Sequence, residues 1–299
     1  VFILSIMLPI FFVFVVGYIA QSFLKLETVM ISRLAIYILV PFLVFRTFYL
    51  QTIDSSFMYF IIFLLGLCFL SILFITLFTK VLKYSEEQRC GLILSSAFMN
   101  NGNYGTPLVL FLFGPEGMKV AIVLMVLQQL LMSTLGVYYA AKGSPFNVGS
   151  IDAAGQILRM PMIYGATLGI VFNWLNIPLG TLMKGIDFMA DAAIPVIMIA
   201  LGMQLANMTI RKVDWKLLSF SLSMRLMLSP LLALFIVWQL PLDELTKQIM
   251  VIVAATPTAA NTTMYAIQFR VQENNVSAAT LISTVLSLVT VPVVIYLMT

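Results

Sequence analysis

The sequence predicts an all-α integral membrane protein of ten transmembrane helices, arranged as two inverted five-helix repeats. Three observations lead there: spanning-length apolar runs along the whole chain, scarcity of charge, and polar interruptions at matching places in the two halves. Of 299 residues, 62% are hydrophobic and 9% charged, with a mean hydropathy of +1.07. A soluble globular domain carries roughly 25% charged residues.

A bilayer core takes about twenty apolar residues per helix. On that rule the spans run 1–22, 28–49, 56–79, 89–113, 118–141, 157–175, 182–206, 215–238, 245–269 and 275–298. The first is apolar from Val1 without a basic flank or cleavage site, and reads as a span, not a signal peptide. Short connections join the spans, as in helices hairpinned across a membrane. The longest, AKGSPFNVGSID at 141–152, lies between spans five and six and sets a linker over 142–156 between repeats 1–141 and 157–299.

Cation bias orients the chain. Loops after odd-numbered spans carry Lys25, Arg33, Lys80, Lys83, Arg89, Lys142, Arg159, Arg211, Lys212, Lys216 and Arg270, against Arg46, Lys119, Lys184 and Lys247 on the other side. This places the odd-span loops in the cytoplasm and both termini outside. The net charge of +4 is scattered singly and forms no basic face for nucleic acid. With no histidine, Ser-His-Asp triads and His-based metal sites are excluded. No enzyme, metal or cofactor is expected, and Cys68 and Cys90 predict no disulfide.

A shift of about 155 residues lays span two on span seven, with Pro41 near Pro195, and span four on span nine. Repeats of an odd number of spans must lie in opposite orientations, the construction of many secondary carriers. Within span four, MNNGNYGTPLVL (99–110) sets Pro107, Gly102 and Gly105 in an oily run; within span nine, VAATPTAANTTMYAIQF sets Pro257. Proline and glycine loosen helix at these points, and unpaired backbone at membrane depth is tolerated only against protein or a water-filled cavity. Two readings follow. One is a pair of kinked structural helices; the other is two half-helices beginning near Pro107 and Pro257, with positive dipole ends at the midplane. Two breaks in matching positions favour the second. Asn100, Asn101, Asn103, Thr106, Thr256, Thr258, Asn261 and Thr262 add neutral donors, which with no fixed acid suit a carboxylate.

Other polar residues are weighed against plainer roles. Arg225, about 15 Å into span eight, is expensive at that depth and either balances substrate charge, pairs with an acid or snorkels. Asp187 and Asp191 share a helix face and either carry a coupling proton or, the favoured reading, are structural, with Lys184 one turn away as a partner. Of Gln128 and Gln129 at least one faces the cavity. The nineteen methionines read as core filler.

The stretch NNGNYGTPL from Asn100 resembles the N-x-G-x-x-G-x-P signature of the auxin efflux carrier family, which includes plant auxin exporters and bacterial malate-permease-like carriers. TPTAANTTMYAIQF followed by STVLSLVTVPVV resembles that family's second crossover and last helix. The resemblance implies a bile-acid-symporter-like fold, with helices four and nine crossing at Pro107 and Pro257. It implies a scaffold of spans 1, 2, 6 and 7, through which a homodimer forms, and a transport domain of spans 3–5 and 8–10. Asn100 would meet the substrate carboxylate. The implied function is a secondary active transporter that moves a small organic anion across the plasma membrane by elevator-type alternating access; an organic-anion channel is the alternative. The full substrate-binding set expected is Asn100, Asn101, Gly102, Asn103, Gly105, Thr106, Pro107, Gln128, Thr256, Pro257, Thr258, Asn261 and Arg225. The plant exporters' long cytoplasmic loop is missing between the halves, which points to a bacterial-type carrier in the lipid bilayer.

Overall fold

The computed structural model describes residues 2–51, 56–146, 153–208 and 213–298. Residues 147–152 of the expected linker and the topology cations Arg211 and Lys212 lie outside the described residues. The chain is all-helical among those residues, apart from one antiparallel bridge between Met99 and Thr258. Seven of the described helices are long and apolar enough to cross a membrane. We label the helices α1 Phe2–Leu24, α2 Thr28–Leu50, α3 Ser56–Val81, α4 Glu86–Ser96, α5 101–113, α6 115–142, α7 Pro161–Trp174, α8 Leu182–Asn207, α9 Trp215–Trp238, α10 Glu244–Ala254, α11 Ala260–Phe269 and α12 Glu273–Met298. Large apolar side chains such as Phe23, Phe69, Phe235 and Trp238 are exposed, as lipid-facing positions require.

The continuous helical stretch Asn101–Lys142 is two helices folded back on each other. Asn101 Nδ2 donates to the Ala121 carbonyl at 3.5 Å, and a Cβ on Gly102 would sit 3.5 Å from Met125 Sδ. Twenty residues of straight helix would hold such atoms about 30 Å apart. The reversal is at Gly114, where φ is 65° and ψ −160°, a conformation open essentially to glycine alone. Pro115 follows and restarts the helix without needing an N–H partner.

Spans four and nine of the sequence are each interrupted. α4 and α10 both run 11 residues from a side-chain cap. Ser85 and Gln88 form a capping box, and Asp243 Oδ1 accepts from the Thr246 N–H at 2.9 Å. Each helix then breaks, and the two breaks pair with one another. The Asn100 N–H donates to the Pro257 carbonyl at 2.9 Å and the Ala259 N–H to the Phe98 carbonyl at 3.0 Å. Backbone that would be orphaned in the membrane interior is satisfied by its counterpart from the other half of the chain.

The first break comes earlier than Pro107 alone would place it. The helix resumes at Asn101 through a wide π-turn, Asn101–Gly105, and Pro107 lies just after that turn. The same sequence of wide turn and proline recurs at Leu34–Leu39 before Pro41 and at Met224–Leu228 before Pro230. A proline ring pushes against the carbonyl four residues back, and in all three places that carbonyl sits in the widened turn, which makes room for it.

Two helix pairs approach at backbone distance. On α1 and α8, a Cβ at Gly17 would lie 2.3 Å from the Ile199 carbonyl oxygen and one at Gly202 2.1 Å from that of Phe14. On α7 and α2, a Cβ at Gly165 would lie 2.4 Å from the Pro41 carbonyl oxygen and one at Gly169 2.6 Å from that of Phe45. Small residues allow such contact where no hydrophobic force draws helices together in lipid. Near one end of α8, Asp191 and Asp187 reach Arg46 of α2 at 2.7 and 3.5 Å. Their partner is thus Arg46 rather than Lys184, because α2 packs along the face the two aspartates share.

Candidate functional site

At the paired breaks lies a cavity of about 50 Å³, room for a few waters or one small polar head. Its polar lining is Asn100, Asn101, Gly102, Asn103, Gln128, Gln129 and Asn261, with no charged side chain among the described residues. Met99, Met125, Met132, Met162, Ile36, Val40 and Ile197 close its apolar side. The breaks in α4–α5 and α10–α11 deliver the asparagines, α6 the two glutamines, and α2, α7 and α8 the apolar wall. The helices α5 and α11 begin here, at Asn101 and Ala260, so their first N–H groups and positive dipole ends lie beside the amides.

Part of this amide set is not spent on the protein. Asn100 is 4% exposed and Gln128 5%, yet Asn100 Nδ2 and Gln128 Nε2 have no acceptor, and Asn101 Oδ1 no donor, among the described residues. Buried polar groups are nearly always paired; at this cavity two donors and one acceptor are left free to pair with a solute. Asn261 Nδ2 lies 3.4 Å from Gln129 Oε1, which links the second break to α6. Tyr104 anchors the π-turn beneath the asparagines. Its ring lies against Phe11 and Phe14 of α1, and its hydroxyl accepts from Ser287 Oγ of α12 at 3.0 Å.

Of the residues expected from sequence, Asn100, Asn101, Gly102, Asn103, Gln128 and Asn261 meet at this cavity. Gly105, Thr106, Pro107, Thr256, Pro257, Thr258 and Arg225 lie off its lining. A Cβ at Gly105 would come 2.9 Å from Asn101 Oδ1 and 3.4 Å from Thr256 Cγ2, so Gly105 lets the two breaks close together. Thr256 Oγ1 donates to the Val253 carbonyl at 2.7 Å, Thr262 Oγ1 to Ala259 at 2.7 Å and Thr258 Oγ1 to Ser95 at 2.6 Å. These hydroxyls serve backbone carbonyls around the break. Thr106 is fully buried and its Oγ1 has no partner among the described residues. Pro257 contributes the carbonyl that holds Asn100.

Arg225, 1% exposed, points behind the cavity. Nη1 donates to the Ser96 carbonyl at 3.2 Å, and Nη2 to Ser229 Oγ at 2.9 Å and to the Ala254 carbonyl.

A second cavity of about 500 Å³ adjoins the first and shares Ile36, Gln129, Met162, Ala260 and Asn261 with it. Its polar lining includes Thr28, Ser32, Arg33, Gln204, Asn207 and Gln268, and among the described residues no acidic one. Gln204 Nε2 donates to Ser32 Oγ at 2.9 Å and Asn207 Nδ2 to Thr28 Oγ1 at 2.7 Å. Sequence reasoning passed over this vestibule. Its only signal was small polar residues four apart in span two, facing the polar tail of span seven.

A sequence profile for the family described as membrane transport protein matches residues 2–154 and 144–295. The chain is 30% identical over 207 residues to an uncharacterized transporter of Methanothermobacter thermautotrophicus, covering 68% of this chain and 66% of that one. It is 24% identical over 300 residues to an uncharacterized transporter of Methanocaldococcus jannaschii, covering 96% of each. Over 153 residues, half of this chain and 47% of the other, it is 29% identical to a Rhizobium meliloti protein named "putative malonate transporter". Membrane-spanning helices, a buried polar cavity and these relatives agree: the chain belongs to the membrane transport protein family, the auxin efflux carrier and malonate-permease-like group of transporters.

Proposed function

We propose that the protein is a secondary carrier for a small organic anion, with a carboxylate bound where the two interrupted helices pair. The observation that carries this reading is the set of unspent buried donors, Asn100 Nδ2 and Gln128 Nε2, beside two helix starts in a cavity that no charged group among the described residues lines. Neutral donors and dipole ends favour an anion without fixing it too tightly for release. A relative's name supplies malonate as the first compound to try.

The architecture supporting this function is ten crossings in two inverted repeats, residues 1–141 and 157–299, joined by the linker 142–156. Counting α4–α5 and α10–α11 as interrupted crossings, and α7 as a short one, brings the helices to ten. The glycine-packed pairs support the repeat, because α1 on α8 and α7 on α2 are counterparts when the halves exchange. Spans 1, 2, 6 and 7 form the scaffold and the homodimer contact, and spans 3–5 and 8–10 form the transport domain that moves as an elevator. The large vestibule opens among α2, α7, α8 and α11, at the helix ends richest in Lys and Arg. The positive-inside rule makes that end cytoplasmic, with both termini outside a plasma membrane. The vestibule is therefore the cytoplasmic approach to the site, and alternating access requires the amide cavity to exchange it for an outer opening.

The test is uptake of radiolabelled malonate and other small carboxylates into proteoliposomes. A carrier gives saturable uptake that internal substrate accelerates. Flux linear in concentration with no acceleration by internal substrate would show a channel and sink the carrier reading.

A further inference from the structure

We propose that Arg225 is a resident counter-cation of the crossover, a positioning residue that neutralises the carbonyl ends of α4 and α10 together and stands where a bound cation would otherwise be needed. Ser96 and Ala254 are the last residues of those two helices. Their carbonyls belong to the orphans that every helix end leaves. α9 places one guanidinium between them, with Nη1 on Ser96 and Nη2 on Ala254, and Ser229 Oγ donates to the same Ala254 carbonyl at 3.0 Å.

The charges match. Each helix C-terminus carries about half a negative charge, so two converging ends amount to about one, which one guanidinium cancels. The match also accounts for how Arg225 survives at 1% exposure without an ion pair among the described residues. An uncompensated buried charge is prohibitive, and here the compensation comes from backbone. In carriers with broken membrane helices, half-helix C-termini and unwound carbonyls are where small cations bind. In this chain the positive charge is tethered instead, and among the described residues no group of three or more acidic, cysteine or histidine side chains is placed to hold a metal.

The tether has two consequences. It fastens α4 to α10 and so holds the starts of α5 and α11 in place at the cavity. It also prevents the ground behind the cavity from being net negative, which would oppose an anion. The second consequence rests on the proposed anion site, whereas the first does not.

The experiment compares melting of the purified wild-type chain with R225A, R225M and R225K in N-methylglucamine chloride, sodium chloride and low-millimolar guanidinium chloride. Wild type is expected to melt alike in all three. R225A melts lower and regains part of the loss in guanidinium or sodium. R225M fills the space without charge and stays low in every salt, while R225K lies above it. R225M matching R225K, or R225A indifferent to guanidinium and sodium, overturns the proposal. Should R225A fail to fold in any salt, the order of R225K and R225M decides: lysine above methionine supports the counter-cation, and methionine equal or higher refutes it. Sodium-free medium should leave wild-type malonate uptake unchanged, and a several-fold stimulation by sodium refutes the proposal. Wild type that transports no carboxylate, yet shows the expected melting order, removes the anion site and supports the counter-cation.

Discussion

Replacing Asn100 by Ala should raise or preserve stability while weakening substrate binding. The backbone of Asn100 does its structural work, with its N–H on the Pro257 carbonyl and its own carbonyl accepting from the N–H groups of Tyr104 and Gly105. Alanine keeps all of that, since φ at this residue is −84°. The side chain is 4% exposed and its Nδ2 has no acceptor among the described residues. A buried donor left unmade costs about 1–3 kcal/mol, and losing it relieves that cost, moderated by any water in the cavity. At about 2–4 °C per kcal/mol for a chain of this order, N100A should melt at or a few degrees above wild type. A hydrogen bond to a charged group contributes about 1.5–3 kcal/mol, so malonate affinity should fall by about 10- to 150-fold. N100D, of the same shape but acidic, should lose binding more completely through like-charge repulsion. Melting curves with and without malonate, alongside uptake kinetics, read both signs at once. N100A that melts several degrees lower and binds malonate like wild type would refute the reasoning, for then the carboxamide holds the fold and not the substrate.

At the α1–α8 contact, G202A would force a Cβ to 2.1 Å from the Phe14 carbonyl oxygen; overpacking of that kind costs about 1–3 kcal/mol, a melting loss of roughly 2–12 °C. On the same helix, G185A meets nothing within 4 Å and should melt no lower than wild type. D243A removes the cap of α10 and should cost about 1 kcal/mol. Burial raises the Asp243 carboxyl, but hydrogen bonds from the Thr246 side chain and from backbone N–H groups outweigh it and hold it below the usual range. A lowered carboxylate stabilises above its unfolded value of about 3.9 and loses that contribution as pH falls through the folded one. The melting gap between wild type and D243A should therefore persist at neutral pH and close in acid below about pH 4; a gap that widens in acid contradicts the cap.

The interruptions were legible because such residues are rare in apolar helix: Asn, Gly and Pro cluster in span four, and Pro, Asn and Thr in span nine. The reversal at Gly114 was legible in FGPEG, where a proline follows a glycine free to take positive φ. What sequence could not fix was the place where the first break lies. Pro107 disturbs the turn before it, and that turn responds by widening rather than opening, so the true interruption falls at 97–100, where backbone from α10–α11 arrives to pair with it. The threonine contacts were not legible either: Thr256 and Thr262 each bond a carbonyl three residues back, and Thr258 bonds Ser95, which is 163 residues away. Arg46 could not be matched to Asp191 from sequence, since 145 residues separate them. Arg225 stood out as a buried charge, but its acceptors are main-chain carbonyls, which every residue possesses and no composition reveals.

An interrupted membrane helix creates two unlike ends from a single break. The end that begins a new helix offers N–H groups and positive potential; the end that closes the old one offers carbonyls and negative potential. Two such helices crossing can point both beginnings at one cavity only by bringing both endings together on the far side. α5 and α11 start at the amide cavity, and α4 and α10 finish at Arg225. The cavity with its two helix starts and the buried guanidinium are thus two products of one backbone arrangement. A change on either side of the crossing alters the field on the other, so the cavity can remain free of fixed charge while the balance is kept behind it.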